Sequence, residues 1–221
     1  MFGQNPKRPP VKGDGHSLFV QSVFPTIQGE GPYAGHFALF IRLGGCNLAC
    51  SFCDTEFESF VLMSCDQLIE EAHKYLSKGQ LVVITGGEPL RQPIGLLCNR
   101  LLMSSYKVQI ETNGTLYQAL PDEVEIICSP KVTSGRYHPI HPQLLPRVNA
   151  LKFLISSDHE AYDQVPNIGQ YEQDLAIPIY IQPMDQNDPI KNANNTQRAL
   201  SLVRSGRGIL SLQLHKVLNI P

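Results

Sequence analysis

The sequence predicts an α/β fold: a partial, modified parallel (β/α) barrel with some helices replaced by loops. Short apolar segments recur along the chain. Residues 81–84 (Leu-Val-Val-Ile) are the plainest, and unbroken apolarity over a short run suits a strand buried on both faces. The segments are closed by glycine-bearing or polar turns, the pattern of a parallel barrel or an open α/β sheet with its site on one rim. The intervals between them are unequal. Residues 112–123 and 132–150 are rich in Pro, Gly and His, so they read as loops where a regular barrel has helices.

Taken in order, residues 1–17 contain Lys7, Arg8 and several Pro and Gly, and read as a flexible lead-in to a single domain over residues 18–221. Residues 18–24 alternate enough for a first strand, which Pro25 ends. The loop of residues 26–32 follows, where Gln28 and Glu30 offer an amide and a carboxylate or else form an ordinary polar turn. Residues 36–43 make a second strand that ends at Gly44-Gly45. Arg42 lies near its end and needs an acceptor if buried, either a substrate carboxylate or a surface partner.

Ser64 and Gln67 are spaced as a capping box for a helix over residues 64–76, with Leu68, Ile69, Ala72, Tyr75 and Leu76 on its apolar stripe. The strand at 81–84 ends in Thr85-Gly86-Gly87-Glu88-Pro89, and glycines at such a point let a ligand approach the backbone. A second helix is expected over 93–103. Strands at 108–110, 124–128, 151–155 and 177–181 end in Glu111-Thr112-Asn113-Gly114, Ser129-Pro130-Lys131, Ser156-Ser157 and Gln182-Pro183-Met184-Asp185. His138 and His141 fall in a loop and read as exposed residues rather than metal ligands. A helix over 195–204 and a strand over 209–214 come last. The apolar stretch from His215 to Pro221 suggests a terminus docked into the body, its carboxylate usable as a ligand.

The 221 residues suffice for one full core and are few for two domains. A net charge of -2 lends nothing to nucleic-acid binding. No apolar run is long enough for a membrane helix, and no signal segment is evident, so a cytoplasmic protein is expected. Cys65, Cys98 and Cys128 are scattered in apolar settings and read as reduced core residues.

The remaining cysteines carry the chemistry. Cys46, Cys50 and Cys53 stand at C-x3-C-x2-C spacing in Cys-Asn-Leu-Ala-Cys-Ser-Phe-Cys. Structural zinc takes four protein ligands, commonly from two C-x2-C pairs, and a 4Fe-4S cluster is usually held by four cysteines. Three thiolates leave one iron open to a substrate or cofactor. Asp54-Thr55 follows at once, with hard oxygen donors that suit Mg2+ or equally form a helix cap.

With Phe52 just before the last cysteine, this octet resembles the cluster loop of radical S-adenosylmethionine enzymes. In that superfamily the methionine part of S-adenosyl-L-methionine chelates the open iron, and an electron from the cluster yields a 5′-deoxyadenosyl radical. Further motifs narrow the resemblance to the family of 7-carboxy-7-deazaguanine synthases. They are Gln28-Gly29-Glu30-Gly31, Arg42, Cys53-Asp54-Thr55, Thr85-Gly86-Gly87-Glu88, Glu111-Thr112-Asn113-Gly114, Ser129-Pro130-Lys131, Gln182-Pro183-Met184-Asp185 and the terminal His-Lys-x-x-Asn-Ile-Pro.

The resemblance implies conversion of 6-carboxy-5,6,7,8-tetrahydropterin to 7-carboxy-7-deazaguanine with loss of ammonia, in queuosine and related 7-deazapurine biosynthesis. It implies Mg2+, a homodimer and a flavodoxin-type reductant. It places the cluster on Cys46, Cys50 and Cys53. It places S-adenosylmethionine on Phe52, Cys53, Asp54, Gly86, Gly87, Glu88, Ser129, Pro130, Lys131, Gln182, Pro183, Met184 and Asp185. The pterin falls to Ile27, Gln28, Gly29, Glu30, Arg42, Thr85, His215 and Pro221, and Mg2+ to Thr55. No side chain is assigned as catalytic, since the radical comes from the cofactor. An activase that installs a glycyl radical on a partner shares the cysteine spacing and is the alternative enzyme. An iron–sulfur electron carrier is the alternative outside enzymes.

Overall fold

A computed structural model describes residues 3, 5–53, 55–133, 135–170 and 176–221. The elements run β1 Ser17–Ile27, β2 Phe37–Leu43, β3 Val61–Ser64, α1 Cys65–Tyr75, β4 Leu81–Gly86, α2 Gly95–Met103, β5 Lys107–Thr112, β6 Glu125–Cys128, β7 Val132–Thr133, β8 Arg136–Tyr137, β9 Val148–Ile155, β10 Ile179–Pro183, α3 Pro189–Arg204, β11 Ile209–Leu210 and α4 Leu214–Leu218. Among the described residues, nine strands form one sheet in the order β11-β10-β9-β6-β5-β4-β2-β1-β3. From β2 to β11 neighbouring strands are parallel, while β1 runs antiparallel to both β2 and β3. This is the partial, modified α/β barrel sheet that the sequence predicts, with loops in place of several helices.

Burial follows the period of the strands. Leu39, Ile41 and Leu43 of β2, Val82 and Ile84 of β4, and Val108 and Ile110 of β5 pack with Leu68, Leu97 and Leu101 of α1 and α2 in the main core. The helix α3 covers the far end through Ala199 and Leu202 against Ile155 and Ile181. Each fully buried aliphatic side chain contributes roughly 1.5–3 kcal/mol, so this one-sided packing dominates stability. The cap of α1 forms as spaced: Ser64 Oγ accepts from Gln67 N at 3.2 Å while Gln67 Oε1 accepts from Ser64 N at 2.8 Å.

Several boundaries differ from the sequence reading. Strand β1 does not end at Pro25 but pairs on to Ile27. Its other neighbour, β3, covers only Ser17 to Val20, so Pro25 lies where β1 is an edge and a missing N–H is tolerated. Helix α3 starts six residues before the expected Asn195, because Asp188 Oδ1 accepts from Ile190 N and Lys191 N and Pro189 occupies the first turn. The expected final strand shortens to Ile209–Leu210, and the residues from Leu214 coil into α4. The lead-in, read as flexible, is hydrogen-bonded to the body: Arg8 N donates to Cys46 O at 2.7 Å, and Val11 N to Arg91 O at 2.7 Å. Cys65, Cys98 and Cys128 are buried free thiols.

At the end of β4, Gly86 takes φ +120°, and a Cβ there would meet Leu43 O at 2.2 Å. Gly86→Ala is expected to destabilise the fold by about 2–3 kcal/mol. Urea unfolding checks this, and an unchanged midpoint contradicts it.

Candidate active site

Strand alternation decides what fills the hollow side of the sheet. With Leu39, Ile41, Val82, Ile84, Val108 and Ile110 turned to the helices, Phe40, Arg42, Thr85, Gln109 and Glu111 face the other way. Arg42 stands opposite Thr85 in register, and Gln182 opposite Leu154. They meet around a cavity of about 270 Å³, lined also by Gln28, Glu30, Lys152, Gln213, His215 and the cysteine loop. The Arg42 guanidinium lies 5.0 Å from the centre of the Phe24 ring.

The strongest interaction in the cavity wall was not foreseen. Lys152 of β9 is 4% exposed, and its ammonium donates to Glu30 and, at 3.0 Å, to Glu111. Amides hold the remaining carboxylate oxygens. Gln213 Nε2 donates to Glu30 Oε1 at 2.9 Å, and Gln28 Nε2 and Gln109 Nε2 donate to Glu111 Oε1 at 2.9 and 3.2 Å. Burial alone would raise Glu30, but the charge and hydrogen bond of Lys152 overcome it and hold the group well below the usual carboxylate range. Burial likewise works to lower Lys152, and Glu111 and Glu30 more than reverse it. Two carboxylates against one ammonium leave a wall rich in hydrogen-bond acceptors.

The cysteine loop is seated by the strand ends beside it. Gly87 N donates to Leu43 O at 3.0 Å and Glu88 N to Gly45 O at 3.1 Å. Asn113 Nδ2 reaches Asn47 Oδ1 at 2.9 Å, and Asn47 Nδ2 reaches Thr115 Oγ1 at 2.7 Å. Cys46, Cys50 and Cys53 all line the cavity. Burial pushes the Cys46 thiol up to about 12, and it raises Cys50 against the opposing charge of Lys131. Loading a metal group here therefore releases protons. Among the described residues no three His, Cys, Asp or Glu side chains converge as a single ion requires. The three thiols share one cavity lining, and N–H donors reach Cys46 Sγ from Leu48 at 3.4 Å and Asn113 at 4.0 Å, a donor set that fits an iron–sulfur cluster.

Beside the loop, Phe52 meets the Tyr162 ring edge-on at 5.4 Å, and Tyr162 in turn meets Tyr137 at 5.6 Å. The short β7–β8 hairpin, part of a loop without an assigned role, thus backs the face that Phe52 presents. His141 stacks on Tyr117 at 5.5 Å, and His138 bonds Thr133, so neither histidine enters the cavity lining.

Most of the predicted residues gather as expected. Phe52, Gly86, Gly87, Ser129, Lys131, Gln182, Met184 and Asp185 line the cavity, as do Gln28, Glu30, Arg42, Thr85, His215 and Thr55. Asp54 lies outside the described residues. Ile27, Gly29, Pro130, Pro183, Glu88 and Pro221 are not in the lining. Glu88 is fully buried, and its carboxylate accepts from Leu90 N at 2.9 Å, Thr112 Oγ1 at 2.6 Å and Asn113 N at 2.7 Å. It braces the two strand-end turns rather than facing the hollow. Pro221 accepts a hydrogen bond from Thr26 Oγ1 at 2.6 Å, tying the C-terminus to β1. Gly29 acts through its bareness: a Cβ there would fall 2.4 Å from His215 Nδ1.

Lys152, Gln213 and Gln109 escaped the sequence reading, and Glu111 was noted only as part of a motif. A lone lysine between Leu151 and Phe153 in an apolar strand was a usable signal, of the kind that drew attention to Arg42.

The comparisons with known proteins agree with this geometry. Residues 40–133 match the family model described as the Radical SAM superfamily. The chain is 54% identical to the 7-carboxy-7-deazaguanine synthase of Rickettsia prowazekii (strain Madrid E), over all of this chain and 96% of that protein. It is 39% identical to the synthase of the same name from Rhodospirillum rubrum, over the full length of both. The crystal structure of QueE from Escherichia coli superposes with a TM-score of 0.73 at 25% identity, covering 89% of this chain and 94% of that one. These relatives carry the synthase name rather than that of an activase. With identity of this extent over its whole length, the chain belongs to the 7-carboxy-7-deazaguanine synthase family of the radical S-adenosylmethionine superfamily.

Proposed function

We propose that this chain converts 6-carboxy-5,6,7,8-tetrahydropterin to 7-carboxy-7-deazaguanine with loss of ammonia, within queuosine and related 7-deazapurine biosynthesis. The observation that carries the reading is one cavity lined both by a three-cysteine loop and by half-buried, acceptor-rich carboxylates. Cys46, Cys50 and Cys53 would hold the 4Fe-4S cluster. Phe52, Gly86, Gly87, Ser129, Lys131, Gln182, Met184 and Asp185 would hold S-adenosylmethionine. When bound, cluster and S-adenosylmethionine together supply the 5′-deoxyadenosyl radical that takes hydrogen from the substrate.

The chain's own residues then bind, orient and exclude water. A reduced pterin presents several N–H donors along its pyrimidine edge, and the carboxylates of Glu30 and Glu111 are suited to accept them. Lys152 and the three glutamines fix those carboxylates before the ligand arrives. Arg42 and Thr85 lie on the same wall, where a guanidinium pairs well with a substrate carboxylate. Asp185 is held well down, to about 2, first by its 2.6 Å hydrogen bond from Lys216, so its charge persists at neutral pH. Thr55, in the cavity lining, would hold Mg2+, and the metal would supply charge to orient the substrate carboxylate. A homodimer and a flavodoxin-type reductant complete the proposal. No helix among the described residues is long and apolar enough to cross a membrane.

Anaerobic reconstitution tests the reading. Protein loaded with iron and sulfide, then given S-adenosylmethionine, Mg2+, dithionite and 6-carboxytetrahydropterin, is expected to yield 7-carboxy-7-deazaguanine by mass. Formation of 5′-deoxyadenosine without that product overturns the substrate while leaving the radical chemistry. Thr55→Ala is expected to raise the Mg2+ concentration for half-maximal turnover roughly tenfold at unchanged iron content. An unaltered Mg2+ dependence removes Thr55 from the metal site.

A further inference from the structure

The lead-in lies directly on the cysteine loop, and one side chain makes the decisive contacts. Asn5 Nδ2 donates to Thr55 O at 2.7 Å and lies 3.6 Å from Cys53 Sγ, while Asn5 Oδ1 accepts from Phe57 N at 3.1 Å. The amide thus grips the chain just after the last cysteine from both its donor and its acceptor sides. Two residues on, Lys7 forms a parallel bridge to Cys46, and Arg8 N donates to Cys46 O at 2.7 Å. Arg91 Nη1 donates to Pro9 O at 2.9 Å and Arg91 Nη2 to Gly44 O at 2.9 Å, which ties the same segment to the start of the loop. Residues 5–9 therefore span both ends of the loop, touching its first and last cysteines.

We propose that Asn5 is a positioning residue for the cluster: it holds Thr55 and Phe57 by their backbone and donates an N–H to the Cys53 sulfur. The inference rests on the reading of Cys53 as a cluster ligand. Hydrogen bonds to cluster sulfurs stabilise the more negative, reduced state and raise the reduction potential. The two-sided grip on Thr55 and Phe57 also restrains the loop when a ligand sulfur lets go of iron. Asn5 therefore acts on two separable quantities, the potential and the retention of iron.

The test compares reconstituted full-length wild type, Asn5→Ala, Asn5→Asp and, as a control, Arg8→Ala, whose side chain pairs with Glu58 at the surface. Redox titration followed by electron paramagnetic resonance gives the potential, and a ferrous chelator gives the rate of iron loss. Asn5→Ala is expected to shift the potential to more negative values, lowering the reduced fraction at fixed reductant roughly fivefold, and to lose iron about fivefold faster. Asn5→Asp keeps the acceptor for Phe57 N but lacks the donor. It is expected to recover part of the iron retention while its potential stays at or below that of Asn5→Ala. Arg8→Ala is expected to match wild type in both.

Wild-type potential and iron loss in Asn5→Ala overturn the proposal, as does a wild-type potential in Asn5→Asp. If Asn5→Ala fails to fold, the Asn5→Asp potential decides alone. Wild-type protein that takes up no cluster refutes the assignment of the cysteines themselves, and the role of Asn5 with it. Loading of wild type with no difference in the variants refutes Asn5 only.

Discussion

A buried ammonium is tolerated in a protein interior only if anions and hydrogen-bond acceptors surround it, and Lys152 organises the cavity by that requirement. Its two carboxylate partners come from distant parts of the chain, Glu30 from the loop after β1 and Glu111 from the end of β5. Gln213, just before α4, adds the C-terminal segment by its bond to Glu30. Three regions that share no local contact in sequence are thereby fixed around one point. Removing one member of such a buried set typically costs about 3–5 kcal/mol, because the others are left uncompensated. The network therefore sets the positions of the groups that face the cavity as well as their charge.

A fully buried acid does similar service behind the strand ends. Glu88 accepts hydrogen bonds from Leu90, Thr112 and Asn113, and so locks the turn after β4 to the turn after β5. Asn113 then passes the constraint to Asn47 in the cysteine loop. Burial raises Glu88 despite those bonds, the usual balance when a carboxylate is used as a brace in a dry interior. The loop that carries the three thiols is thus held by the same strand ends that line the cavity, and from outside by the lead-in.

What was legible in the sequence follows from the range of the interactions. The capping box of Ser64 and Gln67 and the apolar strand before Gly86 depend on neighbours in sequence, and both formed as read. The cysteine loop and most of the cavity residues were legible through their motifs. The start of α3 is set by a local cap, Asp188-Pro189, which lies well ahead of the apolar stripe that marks the helix in the sequence. Strand β3 depends on pairing with β1 some forty positions away, which no local pattern announces. The same holds for the Lys152 network. The resemblance of Gly-Gly-Glu-Pro puts Glu88 on the cofactor, while its carboxylate is turned to Leu90, Thr112 and Asn113 by the turn it closes.

The central claim is that Lys152 pre-positions Glu30 and Glu111 for the substrate. The most direct measurement is anaerobic steady-state kinetics of Lys152→Met, with iron content, thermal stability and substrate-free 5′-deoxyadenosine formation measured on the same sample. The account predicts a kcat/KM for the pterin reduced roughly a hundredfold or more, with cluster loading and basal cofactor cleavage retained. A folded, cluster-loaded Lys152→Met protein with wild-type kcat/KM would contradict it.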